Sequence, residues 1–425
     1  MITPRLRLLV AAWILLLALV PARAAAQFLL VPMDDEQRNH LKAYGLTYNA
    51  IKEGLRAEWF LNYRGGSFLL PDAADVRRRA GLDGVTVEPI SASRLGAIRA
   101  EIAGGNMDAI PLEKAPRVAI YTPPDAPPWD DAVTLALRYA GIEYATVFDE
   151  EVVHGDLAKY DWLHLHHEDF TGQFSKFHIA YRGAPWFIQQ VQSAQALAQR
   201  LGFPNPPALK KAVAERMRQY VENGGFLFAM CGATETLELA VAGSDVDIAG
   251  NFADGTPIDG NADAKMRWAR SFAFANAHLE QSPFVNAQSD IDGHQVNVPG
   301  RRQPLGTFTL FSFSAKFDPV ETILVQNHRT VIPDFYGVTT SFMRRVLKPG
   351  VSVLAEEEGA PWTKYLHGHY GKGSWTYLGG HDPEDPQHGI GNPPTDLSLH
   401  PNSPGYRLIL NNVLFPAAKK KPLKT

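Results

Sequence analysis

Short, largely apolar runs separated by helix-patterned stretches constrain the fold of this chain more than any other feature. Val118 to Tyr121, Tyr144 to Phe148, Trp162 to Leu165 and Phe226 to Met230 are such runs. A strand with one wet face alternates polar and apolar residues, whereas a continuous apolar run belongs to a strand covered on both faces, as in a parallel sheet. The stretches between them carry helical signals. Trp129-Asp130-Asp131 opens a helix with Val133, Leu135, Leu137 and Tyr139 that ends at Gly141, and the two aspartates read as caps on that helix start. Residues 187 to 222 are helical in pattern, interrupted by Pro204, Pro206 and Pro207. They end in Asn223-Gly224-Gly225, which launches Phe226 to Met230, the most apolar strand after the first 26 residues. The expectation is an α/β protein.

The 425 residues suffice for two or three domains. Residues 27–112 read as a small α/β domain: the run Phe28 to Val31, a helix with Leu41, Tyr44, Leu46, Tyr48 and Ile51, then a strand at Ala57 to Leu61. Strand, helix, strand favours a parallel pair joined by a crossover. Arg64-Gly65-Gly66-Ser67-Phe68 reads as a turn, and Asp83-Gly84 as another before a strand at Val85 to Ile90. The larger domain occupies 113–244 and 336–418. Residues 245–335, rich in Gly, Asp and Asn, read as an irregular or β insertion, and 419–425 as a basic tail. The α/β pattern resumes at Val351 to Leu354 and Ser374 to Leu378 and closes with a helix, Tyr406 to Leu414.

Residues 1–26 have the form of a secretory leader. Arg5 and Arg7 precede the apolar stretch Leu8 to Val20, and Ala24-Ala25-Ala26 offers a cleavage site. A periplasmic or secreted protein is expected, without a membrane span once the leader is removed. The net charge of −4 and the absence of a long basic run argue against nucleic acid as a partner. One cysteine cannot form an intrachain bridge.

That cysteine, Cys231, follows the most apolar strand directly and precedes a helical stretch from Glu235 to Val241. A nucleophile elbow is a tight strand-to-helix turn that needs small residues two before and two after the nucleophile, and Ala229 and Ala233 meet that need. Such a turn would expose the sulfur at a helix N-terminus and let the Gly232 N–H stabilise an oxyanion. A buried structural thiol is the competing reading. The best-placed base is His381, just past the strand Ser374 to Leu378, with Asp382 or Glu384 to orient its ring.

Histidines also cluster at His164-Leu165-His166-His167, and His367-Gly368-His369 repeats the i, i+2 spacing. Imidazoles at that spacing suit a polar substrate, with His166 and His167 the candidates here, or a metal on His164, His166, His367 and His369. No H-E-x-x-H or C-x-x-C companion is present, and no cofactor is expected. Asp34, Asp35 and Arg64 follow strands, where ligands bind in open α/β sheets, and are substrate-binding candidates. Trp129, Trp162, Trp186, Trp362 and Trp375 could stack on a sugar, with core packing the alternative.

From Val118 onward, the strand and Cys turn at Phe226 to Ala233 and the ending Tyr370 to Asp382, followed by Tyr406-Arg407-Leu408-Ile409-Leu410-Asn411-Asn412, resemble the class I glutamine amidotransferase-like fold, and within it the ThuA-like proteins. The resemblance implies a flavodoxin-like three-layer sandwich and a triad of Cys231, His381 and Glu384. Amidotransferases have His-x-Glu, whereas Glu384 lies three residues after His381. It also admits a non-catalytic module binding carbohydrate or protein. The chain after the leader, from Leu30-Val31-Pro32-Met33-Asp34-Asp35 onward, is similar to exported bacterial proteins labelled asparagine synthetase B. ATP-dependent asparagine synthesis is not expected, because no Cys stands near Gln27 and no Ser-Gly-Gly-rich pyrophosphate loop is present. The expected activity is Cys-dependent hydrolysis of an amide or related small polar molecule or carbohydrate. A metal-dependent hydrolase is the further alternative.

Overall fold

The computed structural model describes residues 27–124, 131–285, 287–293, 305–387 and 392–420. Residues 1–26, read above as a secretory leader, lie outside the described residues, as do Trp129, Asp130 and the end of the basic tail. Among the described residues no helix is long and apolar enough to cross a membrane.

The chain is an α/β protein, with two sheets among the described residues. The first holds β1 (Phe28–Val31), β2 (Ala57–Leu61), β3 (Ser67–Pro71), β4 (Glu88–Ile90) and β5 (Asp108–Leu112) in the order β4-β1-β3-β2-β5. Helices α1 (His40–Lys52), α2 (Ala74–Asp83) and α3 (Ala92–Gly104) connect them. The expected side-by-side pair of β1 and β2 is corrected here. Both run the same way, but β3 lies between them, antiparallel to each. The turn residues Asn62, Arg64, Gly65 and Gly66 all have positive φ, which folds the chain back tightly enough for Phe68, Leu69 and Leu70 to form the returning strand. The result is a split β-α-β unit used twice.

The second sheet has ten strands. Its parallel part comprises β6 (Val118–Tyr121), β7 (Ala145–Val147), β8 (Trp162–Leu165) and β9 (Phe226–Met230), in spatial order β7-β6-β8-β9. Strands β10 (Thr307–Leu310), β11 (Val331–Pro333), β12 (Phe342–Met343), β13 (Ser352–Glu356) and β14 (Trp362–Tyr370) pair antiparallel, and β15 (Gly373–Leu378) joins β14 antiparallel to β9 parallel. The stretch 245–335 therefore supplies two strands, β10 and β11, to the far edge of the main sheet.

Helices cover both faces. α4 (Ala132–Ala140) and α9 (Pro404–Leu414) pack on the side of Ile120, Trp162 and Phe228, together with α1 of the first unit. α5 (Asp149–Val153), α7 (Pro206–Glu222) and α8 (Ala233–Ala242) cover Tyr121, Leu163, Leu165 and Leu227. β9 is buried along its whole length, and each of its Phe side chains contributes roughly 2 kcal/mol of transfer free energy. α6 (Pro185–Arg200) lies outside this layer, with Phe187 and Ala198 its buried residues.

The two units share one continuous core, from Leu29 and Trp59 through α1 to Leu408 and Leu410. Arg407 of α9 is fully buried and crosses the boundary. It donates to the Met33 carbonyl at 2.7 Å, to the Gly65 carbonyl and to the Tyr44 hydroxyl at 3.1 Å.

Candidate functional site

The order of the parallel strands reverses between β6 and β8, so the chain leaves these neighbours toward opposite sides at their carboxyl ends. A crevice at such a switch point is where open α/β sheets bind ligands. Three segments reach it with polar side chains: the start of α4, the end of β8 with its following loop, and the loop after β15.

Asp131 is the N-cap of α4, its Oδ1 accepting the Val133 and Thr134 N–H groups at 2.7 and 3.0 Å. The same carboxylate faces two rings, with His164 Nε2 at 3.6 Å and His166 Nδ1 at 3.5 Å. Those rings meet each other, His164 Nε2 to His166 Nδ1, at 3.2 Å. His164 Nδ1 lies 3.0 Å from the Phe228 carbonyl of β9. Both histidines are fully buried. Burial would raise the Asp131 pKa, but the His164 and His166 rings outweigh it and hold it well below the usual carboxylate range. Burial pushes His166 down, only partly offset by Asp131.

His381 arrives from the other side. Its ring is 4.3 Å from that of His166, edge to face, and 5.9 Å from that of His167, stacked. Two donor sets result, His166 with His167 and His381, and Asp131 with His164 and His166. In each, one nitrogen or oxygen per residue lies within 4.8 Å of the others. Tyr406 of α9 also faces this centre, its phenol beside Asp382 and within the field of Asp131.

The loop carrying His166 and His167 is fixed in an unusual way. Phe174, Ser175 and Lys176 have successive φ of 55, 52 and 55°, a left-handed turn that costs roughly 1–2 kcal/mol per residue. Asp169 accepts the Ser175 N–H at 2.7 Å, and the buried Lys176 ammonium donates to the Ala287 carbonyl at 3.0 Å. His166 is held directly, its N–H donating to Glu168 at 2.9 Å and its carbonyl accepting from Ala233 at 2.9 Å.

Cys231 has the backbone of an elbow, with φ +49° between β9 and α8. Its sulfur is not exposed, however: the residue is 1% accessible. The segment 336–341 closes over it, and the Val338 N–H donates to Sγ at 3.2 Å. Burial pushes the thiol up to about 11, although the N–H groups of Val338, Gly232 and Thr339 favour the thiolate. The Gly232 N–H, expected to serve an oxyanion, is here among the groups that favour the thiolate. Glu384 is turned to His400, Oε2 to Nδ1 at 3.0 Å.

The remaining sequence candidates lie elsewhere. Arg64 donates to Asp34 at 2.7 Å and Glu88 at 2.6 Å, and Asp35 pairs with Arg329 at 3.1 Å. The metal set of His164, His166, His367 and His369 does not assemble, because β14 is separated from β8 by β15 and β9. Trp162 and Trp375 are core residues, while Trp186 is 44% exposed. Two members of the centre had no such signal in the sequence. Asp131 looks like any helix cap, and Tyr406 like any apolar position of a terminal helix.

Fold and centre together define an α/β protein with an imidazole and carboxylate cluster at a parallel-sheet switch point. No protein-family model matches the chain, and no curated protein matches it. Among solved structures, two cytoplasmic proteins of Salmonella typhimurium are similar at 13% and 12% identity, covering 72% and 71% of this chain and 100% of theirs, each with a TM-score of 0.35. A β-galactosidase from Bacillus circulans sp. alkalophilus is similar at 12% identity over 62% of this chain and 28% of its own, with a TM-score of 0.25. At these scores the likenesses say nothing of what this chain does.

Proposed function

We propose that the protein is a hydrolase of flavodoxin-like, amidotransferase-related architecture that acts on a small polar substrate, an amide or a carbohydrate derivative, through its imidazole cluster. The order β7-β6-β8-β9-β15, second-first-third-fourth-fifth along the chain, supports the flavodoxin-like assignment. The observation that carries the function is the meeting of His166, His167 and His381 beside Asp131. Water gives a proton to an imidazole as its oxygen bonds the electrophilic carbon. The proton then passes to the leaving nitrogen or oxygen as that bond breaks. The leader-like residues 1–26 support action outside the cytoplasm.

A second reading rests on one observation, the φ of +49° at Cys231. Strain of this kind gathers at functional sites, and movement of segment 336–341 would uncover the thiol for attack on a carbonyl.

The test is a panel of chromogenic amides, esters and glycosides assayed with the wild type, His381→Gln and Cys231→Ala. The imidazole reading expects a loss of about 10²-fold or more in His381→Gln and retained turnover in Cys231→Ala. Loss in Cys231→Ala with retention in His381→Gln transfers the chemistry to the thiol. Saturable sugar binding without turnover of any substrate makes the protein a binding module.

A further inference from the structure

We propose that the cluster binds one divalent cation of the zinc class, with His166 Nε2, His167 Nδ1 and a ring nitrogen of His381 as ligands and a fourth position left for water or substrate. This deepens the hydrolytic reading above and rests on it for the cation's purpose, though not for its binding: with the cation bound, its three imidazole ligands would no longer accept a proton, and activation of the water would fall to the cation instead.

The hydrogen-bond chain behind His166 carries the inference. The Phe228 carbonyl can only accept, so the proton of His164 is on Nδ1, 3.0 Å away. With the proton on Nδ1, the lone pair of His164 is at Nε2, which faces His166 Nδ1 at 3.2 Å. His166 therefore carries its proton on Nδ1, with the Asp131 carboxylate 3.5 Å from that atom. That leaves a bare lone pair on His166 Nε2, assigned from its partners. Metal-bound histidines are held this way, with the far N–H given to a carboxylate or another acceptor that fixes tautomer and ring orientation.

His166 Nε2 is buried, and among the described residues no group satisfies it. His167 Nδ1 is shielded and likewise unsatisfied. Buried polar atoms without partners are costly, and both residues belong to the set that includes His381. The alternative set of Asp131, His164 and His166 is disfavoured by the same chain: His164 Nδ1 is engaged by Phe228, His166 Nδ1 by His164, and Asp131 by the start of α4. Three nitrogen ligands with one open position is the pattern of catalytic rather than structural zinc. Tetrahedral ligands on bonds of about 2.1 Å lie roughly 3.4 Å apart, so from separations of up to 4.8 Å the ligand atoms close by at most about 1.4 Å.

The experiment is titration of the chelator-treated full chain, purified without a histidine tag, with Co²⁺ and Zn²⁺, read by cobalt visible absorption, calorimetry and elemental analysis. The wild type is expected to bind one equivalent and to show the intense visible bands of four-coordinate cobalt. His167→Asn and His381→Asn are expected to lose the stoichiometric site, and Asp131→Asn to bind about 10–100-fold more weakly. His369→Asn is expected to bind as the wild type does, and circular dichroism checks that each variant is folded. A folded wild type that takes up neither ion overturns the proposal, as does stoichiometric binding that survives His167→Asn and His381→Asn. One equivalent bound without turnover of any substrate keeps the metal site and removes the hydrolase. Turnover by metal-free protein keeps the hydrolase and removes the cation's catalytic purpose.

Discussion

The peptide N–H of Cys231 donates to the carbonyl of Gly380 at 3.2 Å, which ties the turn after β9 to the loop that carries His381. The same loop is clamped from above, His381 N–H to the Tyr336 carbonyl at 2.7 Å and Gly380 N–H to the Thr339 carbonyl at 2.9 Å. Segment 336–341 thus holds the histidine loop and seals the thiol with one set of bonds. It lies just beyond the stretch that the sequence marks as an insertion.

Sealing has a direct chemical consequence. A thiol at 1% exposure with its pKa pushed up to about 11 presents almost no thiolate near neutrality. Native protein treated with iodoacetamide at pH 7.5 is expected to label at Cys231 at least ten-fold more slowly than a model thiol, and at the full rate after unfolding in guanidinium. Mass spectrometry of timed samples reads it, and fast native labelling would show that segment 336–341 opens.

Where the two units meet, His40 and His328 stack with ring centres 4.1 Å apart. Burial, then the Arg407 charge, lowers His40 to about 4. Burial, His40, Arg407 and Arg329 lower His328 to about 3. Between these values and 6.5 the unfolded chain binds protons that the folded chain refuses, so unfolding free energy falls as pH falls. Their contribution is complete above pH 6.5 and shrinks progressively as the solution is acidified toward pH 4 and below. Urea denaturation at pH 7, 6 and 5 is expected to show this loss, and His328→Asn to flatten the slope. An unchanged slope in that variant would acquit the pair.

Glu238 on α8 has the opposite sign. Its carboxylate accepts the Phe272 and Ala273 N–H groups and the Tyr377 hydroxyl, each at 2.8 Å. It thereby tethers the stretch after residue 245 to α8. Burial raises it to about 7, against those three donors and Lys348. A carboxyl raised in the folded state contributes its stability below the unfolded pKa of 4.5 and loses it as pH rises through 7. On the linkage relation this is on the order of 3 kcal/mol between pH 4.5 and 8. Glu238→Gln should be less stable at pH 5, where one N–H loses its acceptor, and should lack this decline at higher pH. Thermal unfolding scanned across pH distinguishes the two profiles.

What could be read from the sequence was what neighbours along the chain decide. The β9, Cys231 and α8 junction is local: an apolar run, small flanking residues and a helical pattern, and it folds as a tight turn with positive φ. Partnerships between distant segments were not readable. Nothing in Phe68-Leu69-Leu70 says that it slots between β1 and β2. The spacing of His367 and His369 matches that of His164 and His166, yet only strand order decides that two strands separate them. Asp131 caps α4 and faces two imidazoles with one carboxylate, and a cap residue gives no sign of a second partner. Glu384 stands close to His381 in sequence but pairs with His400, because the loop turns its carboxylate outward.

The union of the two units rests on a glycine. Gly45 lies within α1 where that helix crosses α4, and a β-carbon built there would sit 1.7 Å from the Ala140 carbonyl oxygen and 2.7 Å from its carbon. Both neighbours are backbone, so no side-chain rotation makes room. In an ordinary helix interior, replacing Gly by Ala stabilises by up to about 1 kcal/mol through helix propensity. Here the sign reverses, because the helices must separate and lose the Asn49 bond to the Gly141 carbonyl at 3.0 Å, along with the packing of Tyr44 and Tyr48. Gly45→Ala is expected to destabilise by about 2–4 kcal/mol, within the range for overpacking and lost core contacts, as read by guanidinium denaturation. Gly96, also within a helix, has nothing within 4 Å of the corresponding position. Gly96→Ala should therefore stabilise slightly, and a loss of stability there equal to that of Gly45→Ala would rule out the crossing as the cause.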